Sequence, residues 1–365
     1  MKRIVVALDS FKGSLSSQEA GLCVKEAFLR DREAEDDTEV CCVAVSDGGE
    51  GFCRIVTTAL GGTFVECDVH DPLLRPLRAS YGRAKMPGAL FGESGDEVDG
   101  AVVDVASASG LTLLREEERD PWKASSLGTG ELIRHALEAG IRHVVVGLGG
   151  SATNDCGYGL LEALKGVEHL DEVQFLVATD VESPLCGPMG AARAFARQKG
   201  ADERLVERLE ERDRERGKAL ERACGRRVSD VPGAGAAGGV GAALLSLPHA
   251  RIVSGIQFVL EIQQFGLLLE DAALVVTGEG RIDRQTLLGK APFVIGQLAR
   301  QAGVPCVALA GSVQLTDKER ASSPWDRVEC ITPQGMSLEA AMKPEQARLN
   351  IRESVRRGSW YRLSR

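Results

Sequence analysis

Gly147-Leu148-Gly149-Gly150-Ser151-Ala152-Thr153-Asn154-Asp155-Cys156-Gly157 follows a β-branched run, Val144-Val145-Val146, and leads toward the apolar Leu160 and Leu161. A strand, a glycine-rich turn and a helix start account for that pattern. Such a turn can direct backbone N–H groups outward, where the helix dipole adds to their attraction for an anion. Ser151, Thr153, Asn154 and Asp155 add side chains suited to phosphate or a metal ion, so one reading is chemistry on a phosphorylated ligand. The other is that the glycines only close a tight turn.

The same alternation recurs at both ends of the chain. Ile4 to Leu8 is a short continuous apolar run, as a buried parallel strand would be. Ser16-x-x-Glu19 is a capping-box pattern that opens a helix to about Asp31. Val40 to Val45 predicts a second strand, ending at Ser46-Asp47-Gly48-Gly49-Glu50-Gly51. Strand, helix, strand favours a parallel α/β sheet, whose ligands bind outside the carboxyl ends of the strands. Asp9 and Asp47 both fall at such ends and become site candidates. Near the other terminus, Leu274-Val275-Val276 precedes Thr277-Gly-Glu-Gly-Arg-Ile-Asp-Arg-Gln-Thr-Leu-Leu-Gly-Lys290. A helix near Val294 to Gln301 and a strand near Cys306 to Ala310 follow, and a basic tail, Ile351 to Arg365, is expected to be partly helical.

The middle has a different texture. Phe64 to Tyr81 and Ala101 to Val105 predict strands, and Glu93 to Gly100 a hairpin turn or exposed loop. Helices are expected near Gly130 to Ala139 and Ala191 to Phe195. Asp202 to Cys224, dense in Arg and Glu, reads as a solvated surface helix. Pro232 to Gly241 reads as a flexible turn before an Ala/Leu helix.

Bulk properties narrow the function. At 365 residues two domains are the prior, and 44% apolar content suits a globular chain. A net charge of −9 and 4% aromatics argue against nucleic-acid partners. No run approaches the ~20 apolar residues of a membrane span, and the first apolar run meets Asp9 too soon for a signal peptide. A cytoplasmic location without a membrane partner is therefore expected, as monomer or homodimer. The ten cysteines include no C-x-x-C pair and read as reduced thiols.

Neither a Walker A loop nor a GxGxxG fingerprint on the first strand is present, which weakens P-loop and dinucleotide readings. The motifs instead resemble, in order, those of the type I glycerate kinases. They are Asp9-Ser-Phe-Lys-Gly-Ser-Leu15, Asp47-Gly-Gly-Glu-Gly51, Ser125-Ser-Leu-Gly-Thr-Gly-Glu131, Gly149-Gly-Ser-Ala-Thr-Asn-Asp155, Gln198-Lys-Gly-Ala201, Pro232 to Gly241 and Thr277-Gly-Glu-Gly-Arg281 with Asp283, Gln285 and Thr286. The resemblance implies ATP-dependent phosphorylation of D-glycerate, usually to 2-phosphoglycerate. It also implies two α/β domains with the active-site cleft between them. One is a flavodoxin-like parallel sheet from both chain ends (1–66 plus 285–365), the other an inserted mixed-sheet domain (67–284). The family's usual Phe-Gly-Pro-Gln-Lys-Gly run is here Phe195-Ala-Arg-Gln-Lys-Gly200, its Asn-Pro-Leu is Ser183-Pro184-Leu185, and a typical Glu is Asp104.

Phosphoryl transfer needs cations around the phosphates, a magnesium site and a positioned hydroxyl. Asp47, Asp180 and Asp283 are the candidates for magnesium ligands and for the base; Asp180 ends the run Phe175 to Thr179. The alternative for an Asp at a strand end is a helix N-cap. Lys12 and Arg281 are further catalytic candidates, with Lys290 beside bound ATP or on the surface. Ser151, Thr153, Asn154 and Asp155 would contact phosphate, with Asp155 alternatively a helix cap. Gly149, Gly150, Gly278 and Gly280 would let the backbone approach ATP, and Glu50 and Glu279 would orient a donor or the metal. Other readings are a kinase of another small hydroxy acid, motivated by Arg197, and a non-catalytic nucleotide-binding regulator.

Overall fold

The computed structural model describes residues 2–30, 38–49, 51–95 and 97–358. Along the chain, its strands are β1 (Lys2–Leu8), β2 (Thr38–Cys42), β3 (Thr63–His70), β4 (Pro76–Pro87), β5 (Glu97–Asp104), β6 (His143–Gly147), β7 (Gln174–Ala178), β8 (Ala250–Val253), β9 (Ala272–Ile282), β10 (Cys306–Val313) and β11 (Arg327–Cys330). They form one sheet of five strands and one of six. Contacts divide the chain into two units, Met1–Ser46 with Val259–Arg365, and Asp47–Phe258. The seams expected from the sequence, after 66 and after 284, lie downstream of these changeovers.

The first unit holds the five-stranded sheet, ordered β11-β10-β9-β1-β2, with every pair parallel. Counted within this sheet the order is 2-1-3-4-5, the flavodoxin-like arrangement, and it reverses between β1 and β9. Ile4 to Leu8, Leu274 to Val276 and Cys306 to Ala310 are buried, as strands covered on both faces must be. β9 runs on through Thr277-Gly278-Glu279-Gly280, so that motif lies in the sheet. A Cβ on Gly278 would sit 1.9 Å from Leu309 O on β10, which admits no larger residue. The helix Ser17–Arg30 opens with the expected box, Glu19 N–H on Ser16 Oγ and Ser16 N–H on Glu19 Oε2. It packs on the helix Pro344–Arg357, with Glu19 paired to Arg348 and Glu26 to Arg352. Asp31 and residues 359–365 of the basic tail lie outside the described residues.

The second unit holds the six-stranded sheet, ordered β3 through β8. β3, β4 and β5 pair antiparallel, and β5 to β8 are parallel, which makes the sheet mixed. Three expectations are corrected here. The segment Glu93–Gly100 is not wholly a loop: Glu97 to Gly100 belong to β5, where Gly100 leaves room for Met86 on β4; Asp96 is outside the described residues. Pro232–Gly241 is not a flexible turn. Ala237, Gly238 and Gly239 take left-handed backbone angles and are buried, and a Cβ on Gly238 would lie 2.0 Å from Thr153 O. The helix Glu203–Cys224 is not solvated all round, because Glu210 and Asp213 are buried on its inner face. Among the described residues no helix is long and apolar enough to cross a membrane.

Candidate active site

In the second unit, the carboxyl ends of β6 and β7 meet the Asp47 loop. Gly149 N–H donates to Gly48 O at 2.8 Å, and a Cβ on Gly149 would lie 2.2 Å from Gly49 Cα. Gly48 has φ +88°, and its own Cβ would meet Ala178 O at 2.6 Å. Only bare backbone lets the loop lie this closely against the two strand ends. Asp47 Oδ1 accepts from Gly49 N–H at 3.1 Å. Glu50 lies outside the described residues.

Asp180, two residues beyond β7, accepts from Ser254 Oγ at 2.6 Å and from Ile256 N–H at 2.9 Å. It thus receives the N-terminus of the helix Gly255–Ile262, so the capping alternative holds, on a helix distant in sequence. Burial pushes its carboxyl up to about 6; the hydrogen bonds oppose the rise and the charge of Asp47 adds to it. Magnesium takes oxygen ligands, commonly one or two carboxylates with phosphate oxygens and water. Asp47 and Asp180 fit such a cation as an all-oxygen pair whose mutual repulsion it would relieve. Among the described residues there is no group of three or more His, Cys, Asp or Glu arranged to hold a metal.

The glycine-rich loop is braced from within. Thr153 and Asn154 are fully buried, with Thr153 Oγ1 donating to Ala237 O at 3.1 Å and Asn154 Nδ2 to both oxygens of Asp213 at 3.0 and 2.8 Å. Ser151 Oγ accepts from Lys199 Nζ at 2.8 Å. Asp155 accepts from Ser126 N–H and Oγ, both at 2.9 Å, and from Gly157 and Gly159 N–H, which is the helix-cap alternative. These side chains hold the loop in shape, and its exposed part is Gly149-Gly150. Gly128, Thr129 and Gly130 stand inside the helix Leu127–Glu138, which starts ahead of the expected Gly130.

A cavity of about 260 Å³ beside this loop is lined by Arg54, Ser80, Asp104, Ser107 and Thr112. Asp104 Oδ1 accepts Cys53 N–H at 2.8 Å. Arg54, which follows the Asp47 motif on the helix Phe52–Ala59, and Asp213 carry no motif signal, and Lys199 stands in the Gln198-Lys-Gly-Ala201 motif with its burial concealed by surrounding surface-type residues. Arg197, which suggested an altered acceptor range, spends its guanidinium on Glu203 and Arg193 O at the surface.

The first unit gathers a second set at the switch point between β1 and β9. Asp9 is buried after β1, with Oδ1 accepting Ser10 N–H; Lys12 is exposed in the loop that follows. On β9, Glu279 is buried and accepts Thr286 Oγ1 at 2.7 Å. Burial raises its carboxyl, against the hydrogen bond from Thr286 and the charges of Lys290 and Lys12. Asp283 pairs with Arg281 through Oδ2, at 2.8 Å from Nε, and accepts Gln285 N–H at Oδ1. Burial works to raise Asp283, but these bonds and the charges of Arg281 and Lys290 outweigh it and hold the carboxyl below its usual range. Its charge is already met by the Arg281 guanidinium, so Asp283 suits a metal less well than Asp47 and Asp180, whose partners are neutral or another acid. A Cβ on Gly280 would come no nearer than 3.5 Å to Phe11 Cα, an ordinary van der Waals contact. The structure thus groups Lys12, Glu279, Arg281, Asp283 and Lys290 in one unit, and Asp47, Asp180 and the glycine-rich loop in the other.

The chain matches the model of the glycerate kinase family over residues 4–172 and 165–357. It is 37% identical to a glycerate 2-kinase of Escherichia coli, with 86% of each chain covered. It is 35% identical to a glycerate kinase of Halalkalibacterium halodurans, covering 96% of this chain and 97% of the relative. A crystal structure described as a putative glycerate kinase 2 from Salmonella typhimurium LT2 superposes with a TM-score of 0.75 at 35% identity, covering 97% and 96% of the two chains.

Proposed function

The chain belongs to the glycerate kinase family and is an enzyme of that kind, and from this premise we propose that it transfers the terminal phosphoryl group of ATP to D-glycerate, giving 2-phosphoglycerate. The product is the one the name of the E. coli relative implies. The observation that carries the reading is the Asp180–Asp47 pair, a raised carboxyl beside a second acid at the ends of parallel strands.

In this proposal Asp180 accepts the proton of the attacking hydroxyl. Its pKa near 6 leaves it ionised at neutral pH, yet basic enough to share that proton in the transition state. Asp47 holds magnesium, which would neutralise charge on the transferring phosphoryl group. With Gly149 N–H donated to Gly48 O, the exposed backbone at Gly150 is the part that meets phosphate oxygens. The first unit's Lys12, Arg281 and Lys290 supply cations, Glu279 and Asp283 orient them, and Gly280 keeps the carboxyl-end part of β9 free of a side chain. Arg54, with the hydroxyls of Ser80, Ser107 and Thr112, suits the acceptor's carboxylate.

Steady-state ADP release with Mg-ATP and D-glycerate tests the proposal. Release that depends on both glycerate and magnesium is expected; release indifferent to glycerate would exclude it.

A further inference from the structure

The glycine-rich loop is gripped from behind by three cations, none of which the proposed chemistry uses. Lys199 Nζ donates to Thr153 O at 2.7 Å, Arg212 donates to Asn154 O at 2.9 Å, and Arg216 to Asp155 O at 2.7 Å. Consecutive carbonyls of one loop are therefore each held by a different positive side chain. Arg212 and Arg216 are one turn apart on the helix Glu203–Cys224, and Lys199 lies in the short turn before it. In a trans peptide the N–H points opposite to the preceding carbonyl. The N–H groups of Asn154 and Asp155 therefore face away from the cations, and that of Cys156 is taken by Gly238 O at 2.9 Å, but these residues are buried, so the clamp reaches the exposed end of the loop, Gly149-Gly150, through Ser151, whose Oγ accepts from Lys199.

Holding a loop this way is costly. Lys199 is 3% exposed, and a buried ammonium loses its hydration at a cost that only pairing and hydrogen bonds offset. Burial draws it down to about 8, against the charges of Asp213 and Asp155. Asp213, fully buried on the same helix, accepts the Asn154 amide and, at 3.1 Å, the Cys156 thiol. A methionine-like side chain would fill the Lys199 site without that cost, but it could not hold Thr153 O or Ser151 Oγ. Gly200, at φ +99°, packs so closely on Arg119 O, 2.4 Å from its would-be Cβ, that the lysine's approach is fixed.

We propose that Lys199, Arg212 and Arg216 are positioning residues that turn the backbone of the glycine-rich loop toward a phosphate-bearing ligand. None of the three touches the ligand. They fix the buried limb 153–155, which sets where the exposed Gly149-Gly150 backbone lies, and their charge behind the loop adds to its attraction for phosphate. The inference rests on the phosphoryl-transfer reading above.

The test uses the full-length protein with Lys199→Met, Arg216→Met and Arg216→Lys. Affinity for a nonhydrolysable ATP analogue is measured by calorimetry, kcat and KM for each substrate by ADP release, and folding by thermal melts. The expected result is a loss of analogue affinity of about tenfold in K199M, the equivalent of one charge-assisted hydrogen bond, and a smaller loss in R216M. KM for ATP rises in step, KM for D-glycerate stays within about twofold, and R216K recovers most of the loss. Wild-type analogue affinity and KM for ATP in both methionine variants, measured where they are folded, would overturn the proposal, since a purely structural brace would move only the melting temperature. Arg216 is half-exposed, so R216M decides the matter if K199M does not fold. Analogue binding by a wild-type protein that does not phosphorylate glycerate would refute the function reading and leave the positioning claim to the same comparison.

Discussion

Asp180 and Ser254 are joined by a 2.6 Å hydrogen bond, so the acid that ends β7 is also the one that receives the helix Gly255–Ile262. One side chain thus serves folding and, in the proposal above, proton transfer. Replacing Asp180 with Asn separates the two roles. Asn is itself a good N-cap, so D180N is expected to melt near the wild-type temperature. Its kcat should fall by about 10²–10⁴, the usual worth of a positioned base. A kcat within a few-fold of wild type would remove Asp180 from the chemistry.

The pH profile tests the same residue by sign. A base with a pKa of about 6 works when ionised, so kcat/KM should fall as pH drops through 6. The Ser254 hydrogen bond favours the ionised form, and S254A should move this acid limb to higher pH. A limb that stays in place would show that another group titrates. Stability runs the other way. Because folding raises the Asp180 pKa, its contribution is full below the unfolded value of about 3.8 and declines as pH rises through 6. D180N should flatten that part of a stability–pH curve obtained by denaturant titration.

Two glycines should behave in opposite ways. At Gly149 an added Cβ would sit 2.2 Å from Gly49 Cα, backbone against backbone, so G149A should lose about 1–3 kcal/mol or more in urea unfolding. At Gly280 the nearest contact would be an ordinary 3.5 Å, so G280A should stay within about 0.5 kcal/mol of wild type. If β9 presents bare backbone to ATP, G280A will nevertheless raise KM for ATP. An unchanged KM would place the nucleotide elsewhere.

Arg281 and Asp283 form a partner pair whose separation is measurable. Arg281 holds the Asp283 carboxyl below its usual range, so R281A should raise that pKa, followed by carboxyl-selective NMR. The stability Asp283 gains from its depressed pKa is present above the unfolded value of about 3.8 and is lost as pH falls through the lower folded value. D283N should accordingly be less stable than wild type at pH 7 and converge on it in acid.

Much of the architecture was legible because burial writes itself into short apolar runs. Ile4 to Leu8, Val144 to Val146 and Phe175 to Ala178 are strands, and the acids after the first and last of them, Asp9 and Asp180, stand at carboxyl ends as expected. Ser16 and Glu19 form the box their spacing announces. Pattern failed where a local rule gave way to packing. Ala237 to Gly239 look like a flexible linker, yet their left-handed angles are fixed by contact with the 153–156 backbone. Lys199 and Asp213 look like surface charge, because composition cannot show that the loop supplies their partners. Thr153 and Asn154 carry the right groups for phosphate, and their side chains turn inward because Ala237 O and Asp213 satisfy them.

The most direct measurement is phosphorus NMR of the product formed from Mg-ATP and D-glycerate by the purified chain. The account predicts a 2-phosphoglycerate resonance that grows in step with ADP and is lost in D180N. Either 3-phosphoglycerate as the sole product or ADP formed with no phosphorylated glycerate would contradict it.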